Sequence, residues 1–385
     1  MMRTSKRRGV VAAALALGLA VALTACGSSD DTNTKAGGST DSGALKPVKL
    51  QLQWYAQAQF AGYYAAVDQG YYKDEGLDVQ IVEGSADIVP IDVLSAGDVD
   101  YAISWVPKVL GSIEQGAGVT DVAQIFERSA TTQISFKDKN ITTAADLKGK
   151  KVGSWGYGNE WELFAGMQKA GVGLKDIKLV QQAFDMNGFL AGDIDAAQAM
   201  TYNEYAQVLE SKNPKTGKLY QPEDLNVINW NDEGTAMLQD AIWAPTDKLG
   251  NKDFDAQTVK FIKASIKGWA YVRDHPEEAA KIVTAAGSQL GESHQLWMTN
   301  EVNKLIWPST DGVGHIDEAA WNRTVDMAMN TKNDQDKTII SKEPPSSAYS
   351  NKYVDQALDE LKADGVDVMG TNFQPITVTL KEGGK

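Results

Sequence analysis

Cysteine occurs once in this sequence, at position 26. A disulfide framework, a CxxC redox pair, a sulfur-ligated zinc site and a cysteine nucleophile are therefore excluded from the part of the chain beyond it. Histidine is nearly as scarce. The three, His275, His294 and His315, lie in the C-terminal third with no ligand-like spacing, and no grouping of carboxylates suggests an acid–base pair. No catalytic residue, no metal and no cofactor is expected. Positive charge is also in deficit, with 37 Lys and Arg against 51 Asp and Glu and a formal net charge of -14. Such a surface repels polyanions, which disfavours nucleic acid and a bare anionic membrane as partners without forbidding a local site for an anion.

What is present begins with an address. Arg3, Lys6, Arg7 and Arg8 precede the apolar run "GVVAAALALGLAVALTA", and small residues lead into Cys26, the parts of a secretory signal peptide over residues 1–26. The alternative is a permanent anchor helix, for which the run is short. Leu23, Thr24, Ala25 and Cys26 resemble a bacterial lipobox. That resemblance implies a diacylated Cys26, a lipid-anchored protein on the extracytoplasmic face of the membrane, and a polar tether after it. Residues 27–45, rich in Ser, Gly, Asp and Thr, suit a flexible tether. Loss of residues 1–25 leaves 33 basic and 51 acidic residues, a formal charge near -18.

The remaining 360 or so residues exceed the usual size of one domain, so two lobes are expected. In "PVKLQLQW", Val48, Leu50, Leu52 and Trp54 alternate with polar residues in strand rhythm. A helix-compatible stretch and a second alternating segment, "LDVQIVEG", follow within 35 residues, which reads as a parallel unit. After "TTAADLKGK" the pattern restarts at "KVGSW". The expectation is an α/β protein with one lobe from 46–137 and 238–385, including a helical C-terminal part, and a second lobe from 138–237. Hinges are expected near 135–140 and 235–245, and "PITVTL" as a tail strand or strap. Ligands in open α/β sheets bind beyond the carboxyl ends of strands, so the cleft between lobes is the expected site.

The stretches "FAGYYAAVDQGYYKDEGLDVQIVEG", "LSAGDVDYAISW", "ITTAADLKGKKVGSWGYGNE" and "FDMNGFLAGDIDAAQAMTYNEYAQVLE" resemble the periplasmic binding proteins of ABC importers. Over residues 47–275 the likeness is to the branch for thiamine pyrimidine precursors, riboflavin, and alkanesulfonate or nitrate. It implies a type II-like two-lobed fold that closes on ligand, delivery to the transmembrane subunits of a permease, a monomer, and no chemistry. An iron-dependent pyrimidine synthase shares the fold, but the cysteine-rich motif it needs is missing here. A ligand sensor docking on a membrane receptor is a further alternative.

Candidate ligand contacts sit at strand-to-helix corners. Trp155, Tyr157, Asn159 and Glu160 follow a strand and include Gly156 and Gly158, which let a flat ligand approach the backbone; Asn159 is also a natural helix cap. Trp54, Tyr55, Gln59 and Tyr63 form a second corner, with Gln57 beside them and one of Tyr63 and Tyr64 expected in the cleft. Trp105, Asp185, Tyr202 and Asn203 complete the set; Glu83, Ser85 and Asp240 are weaker candidates. Each has an ordinary structural reading too, as a capped turn or interlobe packing. The corners 54–64, 155–160 and 201–204 contain no Arg or Lys, which favours a planar heterocycle over an oxyanion. Aromatics from both lobes suit riboflavin first and a pyrimidine precursor, hydroxymethyl- or formylamino-pyrimidine, second.

Overall fold

The computed structural model describes residues 44–385, so Cys26, the signal peptide and nearly all of the expected tether lie outside the described residues. Ten strands form two five-stranded sheets. The first contains β1 (Lys46–Gln51), β2 (Leu77–Val82), β3 (Tyr101–Trp105), β4 (Val119–Gln124) and β10 (Asp240–Pro245) in the order β2-β1-β3-β10-β4. The second contains β5 (Thr131–Phe136), β6 (Lys151–Ser154), β7 (Lys178–Gln181), β8 (Ala196–Met200) and β9 (Leu225–Asn229) in the order β7-β6-β8-β5-β9.

Both sheets have one plan. Three parallel strands are followed by an antiparallel fourth, which is β10 in one and β5 in the other. The chain passes between sheets twice, at residues 125–130 and 230–239, and each antiparallel strand directly follows a passage. Thr131–Phe136 was expected in the first lobe. It instead pairs in the second sheet, Ile134 lying opposite Ala197 of β8 and Val227 of β9, so the first crossing precedes the expected hinge at 135–140. A local alternating pattern marks a strand but carries no information about the distant strand it pairs with.

Parallel strands need crossover helices, and these supply the core. The helices Ala61–Asp68 and Lys252–Asp274 cover one face of the first sheet; Tyr101 of β3 stacks on Phe261 at 4.3 Å, and its hydroxyl meets Thr258 Oγ1 at 2.9 Å. Such stacked, hydroxyl-satisfied aromatics combine apolar burial with no orphaned polar group. The same apolar cluster continues through Trp155, Met200 and Tyr202 of the second lobe, whose own clusters centre on Trp230 and on Phe189. Beyond Lys352–Ala363 the chain forms an extended strap rather than a strand. Phe373 packs on the first lobe, Ile376 N–H donates to Asn300 Oδ1, and Leu380 packs on the second lobe.

Candidate functional site

The carboxyl ends of the strands of both sheets border one cavity of about 550 Å³. From the first lobe it takes Gln53, Trp54, Gln57 and Gln59 after β1, Ser85, Ala86 and Ile88 through Ile91 after β2, and Trp105 and Lys108 after β3. From the second it takes Trp155, Tyr157, Gly158 and Asn159 after β6, Phe184 after β7, and Tyr202 through Glu204 after β8. Its size falls within the range of small-molecule sites.

Asp240 organises the first wall. The residue is buried at the start of β10, and its carboxylate accepts from Trp105 Nε1 at 2.7 Å, Gln53 Nε2 at 2.7 Å and Gln59 Nε2 at 2.9 Å. Gln57 Nε2 donates in turn to Gln59 Oε1. Burial pushes the Asp240 carboxyl up to about 7, against those hydrogen bonds and the nearby charge of Lys108. Gly84 permits the geometry: a Cβ there would fall 2.5 Å from the Leu52 carbonyl oxygen, beneath the Gln53–Trp54 corner. Lys108 is one turn into the helix Val106–Glu114. Its ammonium lies 4.8 Å over the Trp105 ring and its stem passes against Gly158 of the other lobe. Burial lowers its pKa to about 8, opposed by the charges of Glu160 and Asp240.

The second wall is a turn anchored from below. Gln198 of β8 accepts from Trp155 N–H and donates to the Asn159 carbonyl, pinning both ends of the segment. Between them Gly156, Tyr157 and Gly158 all have positive φ, at 68°, 55° and 83°. Tyr157 is a left-handed non-glycine residue and is 79% exposed at the cavity mouth. Trp155 is buried, yet its Nε1 has no hydrogen-bond partner; the same holds for Oε2 of the half-buried Glu160, whose carboxyl burial pushes up. Phe184 joins the lobes at the rim, 4.9 Å from Trp54 and 6.4 Å from Trp155. At the inner end, Glu204 accepts from Met200 N–H and Asn203 Nδ2, and burial pushes its carboxyl up to about 7.

Eight of the twelve expected contacts thus border the cavity: Trp54, Gln59, Trp105, Trp155, Tyr157, Asn159, Tyr202 and Asn203. Four do not line it. Tyr63 is turned into the core, edge-on to Trp269 at 5.7 Å, because that face of its helix packs on Lys252–Asp274; Tyr64 takes the more open face near Glu83. Tyr55 is exposed beside Trp54, Asp185 closes a turn by accepting from Asn187 N–H, and Glu160 sits behind the lining near Lys108. Asn159 does not cap the next helix: its Nδ2 donates back to the Gly156 carbonyl at 2.7 Å. Lys108, Phe184 and Gln53 were missed. Lys108 also corrects the expectation of a site without a cation, which counted three corners and omitted the one after β3.

Comparison with known proteins agrees with this architecture. The family model described as NMT1/THI5 like matches residues 57–279. A protein of Haemophilus influenzae named for thiamine biosynthesis is 27% identical over 271 residues, 69% of this chain and 80% of its own. A formylaminopyrimidine-binding protein of Halalkalibacterium halodurans is 25% identical over 66% of this chain and 73% of its own. The riboflavin-binding protein RibY of Chloroflexus aurantiacus is 24% identical over 73% and 79%. Among solved structures, the alkanesulfonate-binding protein SsuA of Xanthomonas axonopodis pv. citri, bound to MOPS, superposes with a TM-score of 0.53 at 16% identity, covering 74% of this chain and 92% of that one. Two mixed sheets facing a shared cleft, and a family match spanning more than half of the sequence, lead to one conclusion: the chain has the two-lobed periplasmic-binding-protein fold and belongs to the NMT1/THI5 like family.

Proposed function

We propose that this protein is the substrate-binding component of an ABC importer and captures an aminopyrimidine precursor of thiamine, formylamino- or hydroxymethyl-pyrimidine, without chemical turnover. The observation that carries the reading is the cavity wall formed by Trp155 and its neighbours. Aromatic rings from both lobes provide flat apolar surfaces; behind them the Trp155 Nε1 donor and the Glu160 Oε2 acceptor are shut from solvent without a partner, and in this reading ligand capture opens the lining to them. An aminopyrimidine edge presents the complement, a ring nitrogen that accepts beside an exocyclic amine that donates. A buried polar group without a partner costs about 1–3 kcal/mol, so a ligand that supplies partners gains selectivity from the same groups.

Riboflavin, the ligand favoured from the sequence, has the weaker support. Its named relative is 24% identical, while relatives named for thiamine biosynthesis and for formylaminopyrimidine binding stand at 27% and 25%. In this reading Cys26 carries the lipid anchor on the extracytoplasmic face, the protein is a monomer, and closure of the lobes about residues 125–130 and 230–239 presents both lobes to the permease.

Calorimetric titration after unfolding and refolding, to strip any bound ligand, tests the assignment. Submicromolar binding of formylamino- or hydroxymethyl-pyrimidine with weak or no binding of riboflavin is the expected result. Tight riboflavin binding with silence toward both pyrimidines would reverse it.

A further inference from the structure

Both ring nitrogens of His294 face oxygen acceptors. The residue lies in the helix Glu292–Ile306 of the C-terminal part and is 1% exposed. Nδ1 lies 2.9 and 3.0 Å from the two carboxylate oxygens of Glu210, and Nε2 lies 3.0 Å from Oδ1 of Asn203, both residues belonging to the second lobe. The orientation of the Asn203 amide follows from its other partners. Its Nδ2 donates to Glu204 Oε1 at 2.9 Å, and its Oδ1 accepts from Gln207 Nε2 at 3.1 Å. With Gln207 oriented as it is, turning the amide over would set its NH2 against the Gln207 NH2, and its oxygen against Glu204 whenever that carboxyl is ionised. A neutral imidazole has one N–H and one lone pair, so it can serve only one of its two facing acceptors.

We infer that His294 is held as an imidazolium that ties the C-terminal helix to the second lobe and positions Asn203 and Glu204 in the cavity wall, so that its proton supports ligand capture. The inference deepens the proposed binding function, because Asn203 and Glu204 border the same cavity. The burial of Glu210 points the same way: a carboxylate 6% exposed requires a close counter-charge, and His294 is the side chain that reaches it. The charged groups around the ring come from three elements. Glu204 and Glu210 belong to the second-lobe helix and its end, and Glu292 lies two residues earlier on the histidine's own helix. The Lys212–Glu382 ion pair, at 2.6 Å, fastens the strap whose Gly384 backbone packs against His294. Trp297, one turn further along, donates from Nε1 to the Thr201 carbonyl and strengthens the same joint. His294 is a positioning residue, with no contact to ligand required of it.

Two readouts separate this inference from the choice of ligand. In ligand-free, full-length protein labelled with 15N-histidine, the ring correlations of His294, assigned with His294→Gln, are expected to show both nitrogens protonated at about pH 7. Glu210→Gln, which preserves shape and removes the anion, should convert the pattern to that of a single neutral tautomer. A single-tautomer pattern in the unmodified protein overturns the inference whatever the ligand proves to be. Calorimetry with formylaminopyrimidine then reads the positioning: His294→Gln should weaken affinity about tenfold and change the pH profile of binding. Asp240 remains in that variant and its titration is common to both profiles, whereas Glu204, held down in part by the His294 charge, titrates higher once that charge is gone. An affinity within twofold of the unmodified protein, with an unchanged profile, overturns the positioning role.

Discussion

The two walls of the cleft are built on opposite terms. On the first lobe, Gln53, Gln59 and Trp105 all donate to the carboxylate of Asp240, and Gln57 donates to Gln59, so these four polar side chains are already engaged within the protein. On the second lobe, Trp155 Nε1 and Glu160 Oε2 are unpartnered, and Tyr157 stands exposed on a left-handed backbone between two glycines. One wall is preorganised by its own hydrogen bonds; the other keeps unpartnered polar atoms and an exposed tyrosine on a left-handed backbone at its mouth. A buried donor already satisfied by protein adds rigidity, whereas an unsatisfied one adds selectivity for whatever satisfies it. In the proposed binding mode, ring position is set by the first lobe and ring identity by the second.

The contrast can be broken most severely at Asp240. Asp240→Ala strands the buried donors of Gln59 and Trp105, each costing about 1–3 kcal/mol, and frees the half-buried Gln53 amide, so the protein should lose about 3 kcal/mol in urea unfolding, together with ligand binding. An unfolding midpoint unchanged from the unmodified protein would show that the first wall does not depend on this carboxylate.

The pH dependence of stability comes next. Burial pushes Asp240, Glu127, Glu162 and Glu204 up to about 7, so between the ordinary carboxylate range and pH 7 the folded protein holds more protons than the unfolded chain. Stability contributed by these groups is accordingly greatest at the acid end and falls as the pH rises from about 4 through about 7. Lys108, lowered to about 8, acts in a separate window: there the folded state holds fewer protons, and stability rises with pH from about 8 toward about 10. Thermal unfolding should give a higher midpoint at about pH 5 than at about pH 7.5, and Asp240→Asn should reduce the difference.

Trp155→Phe sharpens the comparison. Its lost N–H has no partner in the protein, so stability should change little while affinity for the aminopyrimidine falls about tenfold, roughly 1.4 kcal/mol. Trp105→Phe should do the reverse, costing stability because its N–H serves Asp240. Unfolding and titration of both variants read the two effects separately. The smallest effect is expected from Tyr157→Gly, which relieves a left-handed residue and should stabilise the fold by about 1 kcal/mol while weakening binding severalfold. A loss of stability would contradict the strain assigned to this position.

Much of this site was legible because strand-to-helix corners announce themselves locally. Val48, Leu50 and Leu52 alternate into Trp54, and the two glycines around Tyr157 mark a turn, so the aromatic lining could be read in order. What remained hidden depends on partners distant in sequence. The strand Thr131–Phe136 declares its rhythm but not its sheet, which is decided by contact with β8 and β9. Tyr63 and Tyr64 are equivalent as neighbours in a helix, and only the packing of Lys252–Asp274 directs Tyr63 to the core. Lys108 enters the cavity one helical turn after its corner, a distance at which helix phase rather than chain position decides direction. Asp240 was weighed as a minor candidate because a lone acid at the start of a strand gives no sign of three donors converging on it from positions 53, 59 and 105.

The central claim is that ligand binds between these unequal walls, and a crystal structure of the complex with formylaminopyrimidine tests it most directly. The account predicts the ring in the cavity bounded by Trp105, Trp155 and Tyr202, with its polar edge toward the second-lobe wall at Trp155 Nε1. A ring bound outside that cavity, or one within it whose polar edge turns to the Gln53–Gln59 wall, would contradict it.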